Sequence, residues 1–151
     1  MTGTIPCSPS SRNGFTLLEV LIAITLVVIL GSVVGINLID MPQRGRQNAA
    51  KLQLASFKTA IQIYMNDNGA PPTQRQGLEA LVERPATPPI PESYPPNGYL
   101  DALSVPKDPW GRDYAYLNPG RRGERFEVIC YGADGADGGD GFDTDLTTST
   151  P

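Results

Sequence analysis

The chain is predicted to be α+β, with a long N-terminal helix carrying a small antiparallel β domain. Three observations predict it. An uncharged, largely apolar run extends from Val20 to Ile39, and an amphipathic helical pattern resumes from Gln43 to Asn68. Two short strand signatures then flank a turn and lead into a glycine-rich acidic loop. Of the 151 residues, about 110 remain once the apolar segment is set aside, enough for one small domain with a modest core. Fifteen prolines and sixteen glycines make that domain rich in loops.

Composition excludes several functions. A net charge of −4, with basic residues scattered apart from Arg44/Arg46 and Arg121/Arg122/Arg125, argues against nucleic acid, whose phosphates need clustered Lys or Arg. There is no histidine, so neither a Ser-His-Asp nor a Cys-His site can be built. Cys7 and Cys130 are too few for a structural zinc site. Catalysis would rest on carboxylates alone, and no pair is placed for it, so the chain is not expected to be an enzyme.

Residues 1–14 are short, polar and rich in Ser and Pro. A secretory signal peptide would place a small-residue cleavage site after its apolar region, and none stands there. The Gly14-Phe15 junction before the run is the better processing site, which makes 1–14 a leader and leaves the apolar segment on the mature protein. Counted with Phe15 to Leu18, that segment is about 20 to 25 residues, long enough to cross a bilayer as a helix over 15–41. Glu19 is the one carboxylate inside it. An ionisable group there is costly and marks a functional candidate. The alternative is a plain single-pass anchor with Glu19 near one interface. Flanking charge does not favour an N-terminus-in orientation, since Arg12 lies on one side and Arg44, Arg46 and Lys51 on the other.

Pro42 is expected to break or kink the helix. A stem helix over 42–69 follows, in which Ala50, Leu54, Phe57, Ile61 and Tyr64 recur at spacings of four and three, placing a core stripe on one face. Asn68-Gly69 stops it, with Pro71-Pro72 beyond. Residues 70–151 form the loop-rich β domain. Thr73 to Val82 reads as a short helix with Thr73 as N-cap. Six prolines between Pro85 and Pro96 make an ordered connection. Tyr99-Leu100 begins extended structure, and Asp108-Pro109-Trp110-Gly111 is a turn. Asp113–Leu117 and Arg125–Tyr131 read as antiparallel strands joined through Asn118-Pro119-Gly120.

The loop 132–146 carries five aspartates, Asp134, Asp137, Asp140, Asp143 and Asp145, among five glycines, with no basic residue to pair them. Such a density of like charge repels itself, and a hard divalent cation would relieve it. Calcium fits better than magnesium, because a flexible loop suits its irregular oxygen shell. The spacing is not that of an EF-hand: from Asp134, the third position is Ala136 and the twelfth is Asp145 rather than Glu. The alternative is a disordered acidic tail.

These residues resemble the pseudopilins, close relatives of the type IV pilins. Gly14, then Phe15-Thr16-Leu17-Leu18-Glu19 and an apolar helix, is similar to the prepilin peptidase motif, which marks the superfamily. A finer resemblance, to the major pseudopilin family of the type II secretion system, is carried by Asp67-Asn68-Gly69, Pro72-Thr73 and Gln76-Gly77-Leu78-Glu79-Ala80-Leu81-Val82. Further along it is carried by Gly98-Tyr99-Leu100, Asp108-Pro109-Trp110-Gly111, Tyr114-Ala115-Tyr116, Asn118-Pro119-Gly120 and Tyr131-Gly132-Ala133-Asp134-Gly135.

The resemblance implies a type IV pilin-like fold and a structural function. Gly14-Phe15 would be cut, and Phe15 N-methylated, by the prepilin peptidase. Glu19 would meet the Phe15 amino group of an adjacent subunit and help set the stagger between copies. Calcium would sit on Asp134, Asp143 and Asp145, with Asp137 and Asp140 as further candidates. The chain would start in the inner membrane with its C-terminal domain in the periplasm. There it would polymerise with minor pseudopilins, through the inner-membrane assembly platform, into a periplasmic pseudopilus that moves folded proteins through the outer-membrane secretin. A minor pseudopilin, a type IV pilin and a non-polymerising, membrane-anchored calcium-binding domain are the alternatives. Three departures from the family pattern stand out: Ile36 where a proline is usual, Cys130 where a small residue such as Ser is expected, and Leu146-Thr147-Thr148 where an aromatic often closes the loop.

Overall fold

In the computed structural model residues 14–149 are described, those at 31–40 by their backbone alone. The chain divides into two compact units, Met1–Asp40 and Met41–Pro151. Helix α1 spans Leu17–Asn68. It begins where Thr16 Oγ1 accepts the Glu19 N–H at 3.2 Å, the side-chain cap expected of Thr three residues before Glu. Thr25 Oγ1 donates to the Leu21 carbonyl at 2.7 Å, so the one hydroxyl between Val20 and Leu30 is satisfied within the helix. The backbone stays helical through Gly35 and through Pro42, so the expected break is not found. A proline in a helix forfeits one hydrogen bond, and the helical turns on either side of Pro42 persist. Among the described residues, no helix is long and apolar enough to cross a membrane.

The second unit has its own core, and the predicted stripe makes it. Ala50, Leu54, Phe57, Ile61 and Tyr64 are all buried, with Ala60 alongside them, whereas Lys51, Lys58 and Gln62 are exposed. The Phe57 ring meets Tyr114 edge-on at a centroid distance of 5.0 Å, and Tyr64 meets Tyr99 at 5.1 Å. Beyond the helix, the Gly69 N–H closes on the Met65 carbonyl at 2.8 Å. The stop at Asn68-Gly69 is where the sequence placed it.

The helix expected over Thr73–Val82 is reduced to a 3-10 turn, Leu78–Leu81. Thr73 does cap: its Oγ1 accepts the Gln76 N–H at 3.3 Å, and Gln76 Oε1 accepts the Thr73 N–H at 2.8 Å. Gly77 then leaves helical geometry at φ 63°, ψ −163°, ending the segment after one turn. Buried Gln76 donates both Nε2 hydrogens outward, to the Thr87 and Pro89 carbonyls, and so holds the proline-rich connection. Tyr99-Leu100 is a bend rather than a strand; both N–H groups donate to the Leu81 carbonyl.

Strands β1 (Ala115–Leu117) and β2 (Glu127–Cys130) pair antiparallel with Tyr116 opposite Val128. They are the predicted hairpin, shortened at both ends. A third strand, β3 (Leu146–Thr147), joins β2 on its other side, giving the order β1-β2-β3. It was not foreseen, because two residues carry no periodicity. Its effect is to pin the far end of the acidic loop to the sheet.

Candidate functional site

At the N-terminal end, the candidate residues are presented rather than packed. Gly14 is exposed, Phe15 is 81 % exposed, and Glu19 is exposed in the first turn of α1. Every large apolar side chain from Leu17 to Leu30 is also exposed within this chain. A helix stretch that is apolar all round and covered by none of the described residues has an apolar surface to offer to an environment from outside. Residues 1–13 of the leader expected over 1–14, Arg12 and Asn13 among them, lie outside the described residues.

The acidic loop is organised by two arginines that its sequence does not contain. Arg112 stands in the turn that follows Asp108. The buried Asp108 carboxylate accepts the Trp110 N–H at 2.9 Å and the Arg112 N–H at 2.7 Å through Oδ1. Its Oδ2 lies 3.5 Å from Arg112 Nε. Thus oriented, the guanidinium donates to the Gly132 and Ala133 carbonyls at the start of the loop. Arg121, in the β1–β2 connection, reaches the far side. Its Nη1 is 2.6 Å from Asp137 Oδ1 and 3.6 Å from Asp145 Oδ2, and its Nε is 3.3 Å from Glu127 Oε2. The expectation that the loop's carboxylates lack cationic partners is therefore corrected for Asp137 and Asp145. Both arginines are near in space and remote in sequence, which is why spacing did not reveal them. The one signal was the basic cluster Arg121/Arg122/Arg125, in a chain whose other basic residues are scattered apart from Arg44/Arg46.

The loop backbone is drawn in tightly. Ala133 N–H donates to the Phe142 carbonyl at 3.0 Å, and Asp145 N–H to the Gly138 carbonyl at 3.3 Å. Gly132, at φ 57°, passes so close to Asp143 that an added Cβ would lie 2.5 Å from its carbonyl oxygen; no other residue fits. Gln47 of α1 donates to the Gly141 carbonyl at 2.8 Å, and Trp110 Nε1 to Gln43 Oε1 at 3.2 Å, tying this face to the stem.

The five aspartates have different surroundings. Asp134 Oδ1 accepts the Ala136 N–H at 3.1 Å, a local turn bond. Asp137 is paired with Arg121, and exposed Asp140 gives its carbonyl to the Asp143 N–H. Asp145 Oδ2 accepts the Gly138 N–H at 3.2 Å, whereas its Oδ1 is buried with no hydrogen-bond partner. Burial, with Asp137 adding to it, raises the Asp145 carboxyl above the usual range, and the Gly138 N–H and Arg121 pull it back. Oxygen donors of this kind suit calcium, and an unsatisfied buried carboxylate oxygen is what a cation would complete. The donors are not yet gathered, however: among the described residues, no group of three acidic or cysteine side chains is placed to hold a metal.

Cys130 lies beneath this region and is free. Burial pushes its thiol up to about 11, with the neighbouring Asp108 adding to the shift. It stays protonated, and its thiol donates to Asp108 Oδ2 at 3.7 Å.

Residues 37–149 match the family model described as type II secretion system (T2SS), protein G, and residues 9–35 match the prokaryotic N-terminal methylation motif. The chain belongs to the type II secretion system protein G family. It is 44 % identical to the type II secretion system core protein G of Vibrio cholerae over 124 residues, covering 82 % of each chain. The Pseudomonas aeruginosa core protein G is 38 % identical over 135 residues, covering 89 % of this chain and 93 % of that one. Among solved structures, the major pseudopilin from the type 2 secretion system of enterohaemorrhagic Escherichia coli is similar, with a TM-score of 0.60 and 32 % identity. That match covers 74 % of this chain and 92 % of the other. The helix with its small antiparallel sheet is thus a pilin-like, protein G family fold, in agreement with the motifs.

Proposed function

We propose that this protein G family member is the major subunit of a type II secretion pseudopilus. The observation that carries the reading is the uncovered apolar helix: large side chains from Leu17 to Leu30 are exposed in a single chain that also bears the methylation motif. Such a surface is stable in lipid before assembly and against identical helices afterwards. Cleavage at Gly14-Phe15 by the prepilin peptidase would free the Phe15 amine, immediately before the Thr16-capped turn that presents Glu19. Each Glu19 would then be neutralised by the amine of a neighbouring copy, a pairing available only in one stagger. The subunit is anchored in the inner membrane by residues 15–41, with the second unit in the periplasm. It joins minor pseudopilins through the inner-membrane assembly platform into the periplasmic filament and moves folded proteins towards the secretin.

Processing is tested by intact mass of protein from a host carrying the peptidase. The expected species begins at Phe15 and carries one added methyl group. A mature protein still starting at Met1 overturns the proposal.

Calcium would be held by Asp134, Asp143 and Asp145, with Asp137 and Asp140 as further candidates. The partnerless Asp145 Oδ1 and the all-oxygen donor set support this. When bound, the ion would supply positive charge to the loop and would stabilise the native state alone. Calcium at a hundred times its dissociation constant should therefore add about 2.7 kcal/mol. Full-length protein in detergent should melt higher with calcium than with chelator, and Asp134→Ala or Asp145→Asn should remove most of the difference. An unchanged melting temperature with calcium sinks the assignment.

A further inference from the structure

We propose that the second unit carries a head-to-tail contact between copies: the protruding Leu103, with Asp101 beside it, seats in the groove between the stem and β3 of the next copy. The inference rests on the polymer reading above and names a surface that the apolar helix alone leaves open.

The groove encloses about 470 Å³, with Lys51, Leu54, Ala55 and Lys58 of α1 on one wall and Leu146 and Thr148 on the other. Leu54 and Leu146 belong to the packed core, so its inner surface is apolar, and exposed Lys51 and Lys58 stand at its stem edge. Arg44, Lys51 and Lys58 recur every seven residues, about two helical turns, and so line up along one side of the stem. From Met41 to Asn66 the helix carries four cations, these three and Arg46, and no carboxylate. None of the four makes an ion pair among the described residues. Asp145, which also borders the groove, is turned to Arg121 instead.

The opposite character is found on another face. Leu103 is 104 % exposed, more than any other large apolar residue described. It borders a depression shared with Glu79, Glu83 and Asp101, three exposed carboxylates without an ion pair among the described residues. The fourth acid there, Asp113, is already held by Lys107 at 3.2 Å. An uncovered apolar side chain among unpaired acids thus matches an apolar groove edged by unpaired cations. The two faces share no residue, so one copy can give its Leu103 and accept another's at the same time. Such a contact does not close on itself and extends into an open chain. Charge selects which face meets which, and burial of Leu103 supplies apolar area.

The test compares processed, full-length wild type with Lys58→Glu, Asp101→Lys and the two combined, by filament yield in electron micrographs of sheared material. Each single reversal sets like charges face to face and should lower the yield about tenfold. The combined variant restores opposite charges and should recover most of it, which damage to the fold would not do. A second measurement is oxidative cross-linking of Leu103→Cys combined with Ala55→Cys, in which the native Cys130 is buried. A ladder of trimers and longer species is expected; a product that stops at dimers overturns the head-to-tail contact. Wild-type yield from both single reversals, or a combined variant no better than the singles, also overturns it and leaves the polymer reading standing. Absence of filaments from wild type overturns the polymer reading and this contact with it.

Discussion

Glu19→Ala is expected to leave cleavage at Gly14-Phe15 intact and to abolish filament assembly. The local helix should survive, because the Thr16 hydroxyl bonds the backbone N–H of residue 19 rather than its side chain. What is lost is the carboxylate. Among uncovered apolar side chains, that group is the only fixed charge from Phe15 to Leu30. Burying it in a packed filament without a partner would cost several kcal/mol, and a neighbouring amine offsets that cost in one register. Glu19→Gln, which keeps the shape without the charge, should fail similarly. The measurement is filament yield by electron microscopy of sheared material beside intact mass of the subunit. Normal filaments from a correctly processed Glu19→Ala protein would remove the docking role.

The largest expected effect on stability is that of Phe57→Ala. Phe57 has no exposed surface, sits at the centre of the α1 stripe, and meets the Tyr114 ring at 5.0 Å. Truncation removes a buried aromatic and leaves a cavity that α1 and β1 cannot close, costing about 3–5 kcal/mol. For a unit of this size the melting temperature should fall by more than about 10 °C. Leu52→Ala is the control: Leu52 lies on the same helix but is 74 % exposed, and its loss should stay within about 0.5 kcal/mol. Thermal melts of the full-length proteins decide the matter, and equal melting temperatures for the two variants would refute the core assignment.

The stem was legible because amphipathic periodicity is a local record of a non-local fact. Residues that must face a core repeat every three or four positions, whatever the core turns out to be. The strand hairpin was legible for a similar reason, through alternating tyrosines and the Asn118-Pro119-Gly120 turn. The helix expected over 73–82 fails because the Thr73 N-cap signal does not outweigh one glycine. Gly77 at positive φ, with Gln76 turned towards the proline-rich connection, decided otherwise. At Pro42 the break is not realised, since the surrounding turns keep their helical form without its N–H.

For the loop, the sequence showed a concentration of carboxylates needing positive charge, and stopped there. Which charges answer it depends on the fold. The Asp108 turn aims Arg112 at the Gly132 and Ala133 carbonyls, and the β1–β2 connection swings Arg121 onto Asp137 and Asp145. Electrostatic partnership depends on distance through space, and these partners come from different turns of the chain. The sequence by itself determined the family, the apolar helix with its single acid, the core stripe and the acidity of the loop, because each is written in residue type and period. Tertiary structure alone decided the third strand that pins the loop, the Arg112 that holds its backbone and the Arg121 that pairs two of its carboxylates, because all arise from chain closure that no local pattern encodes.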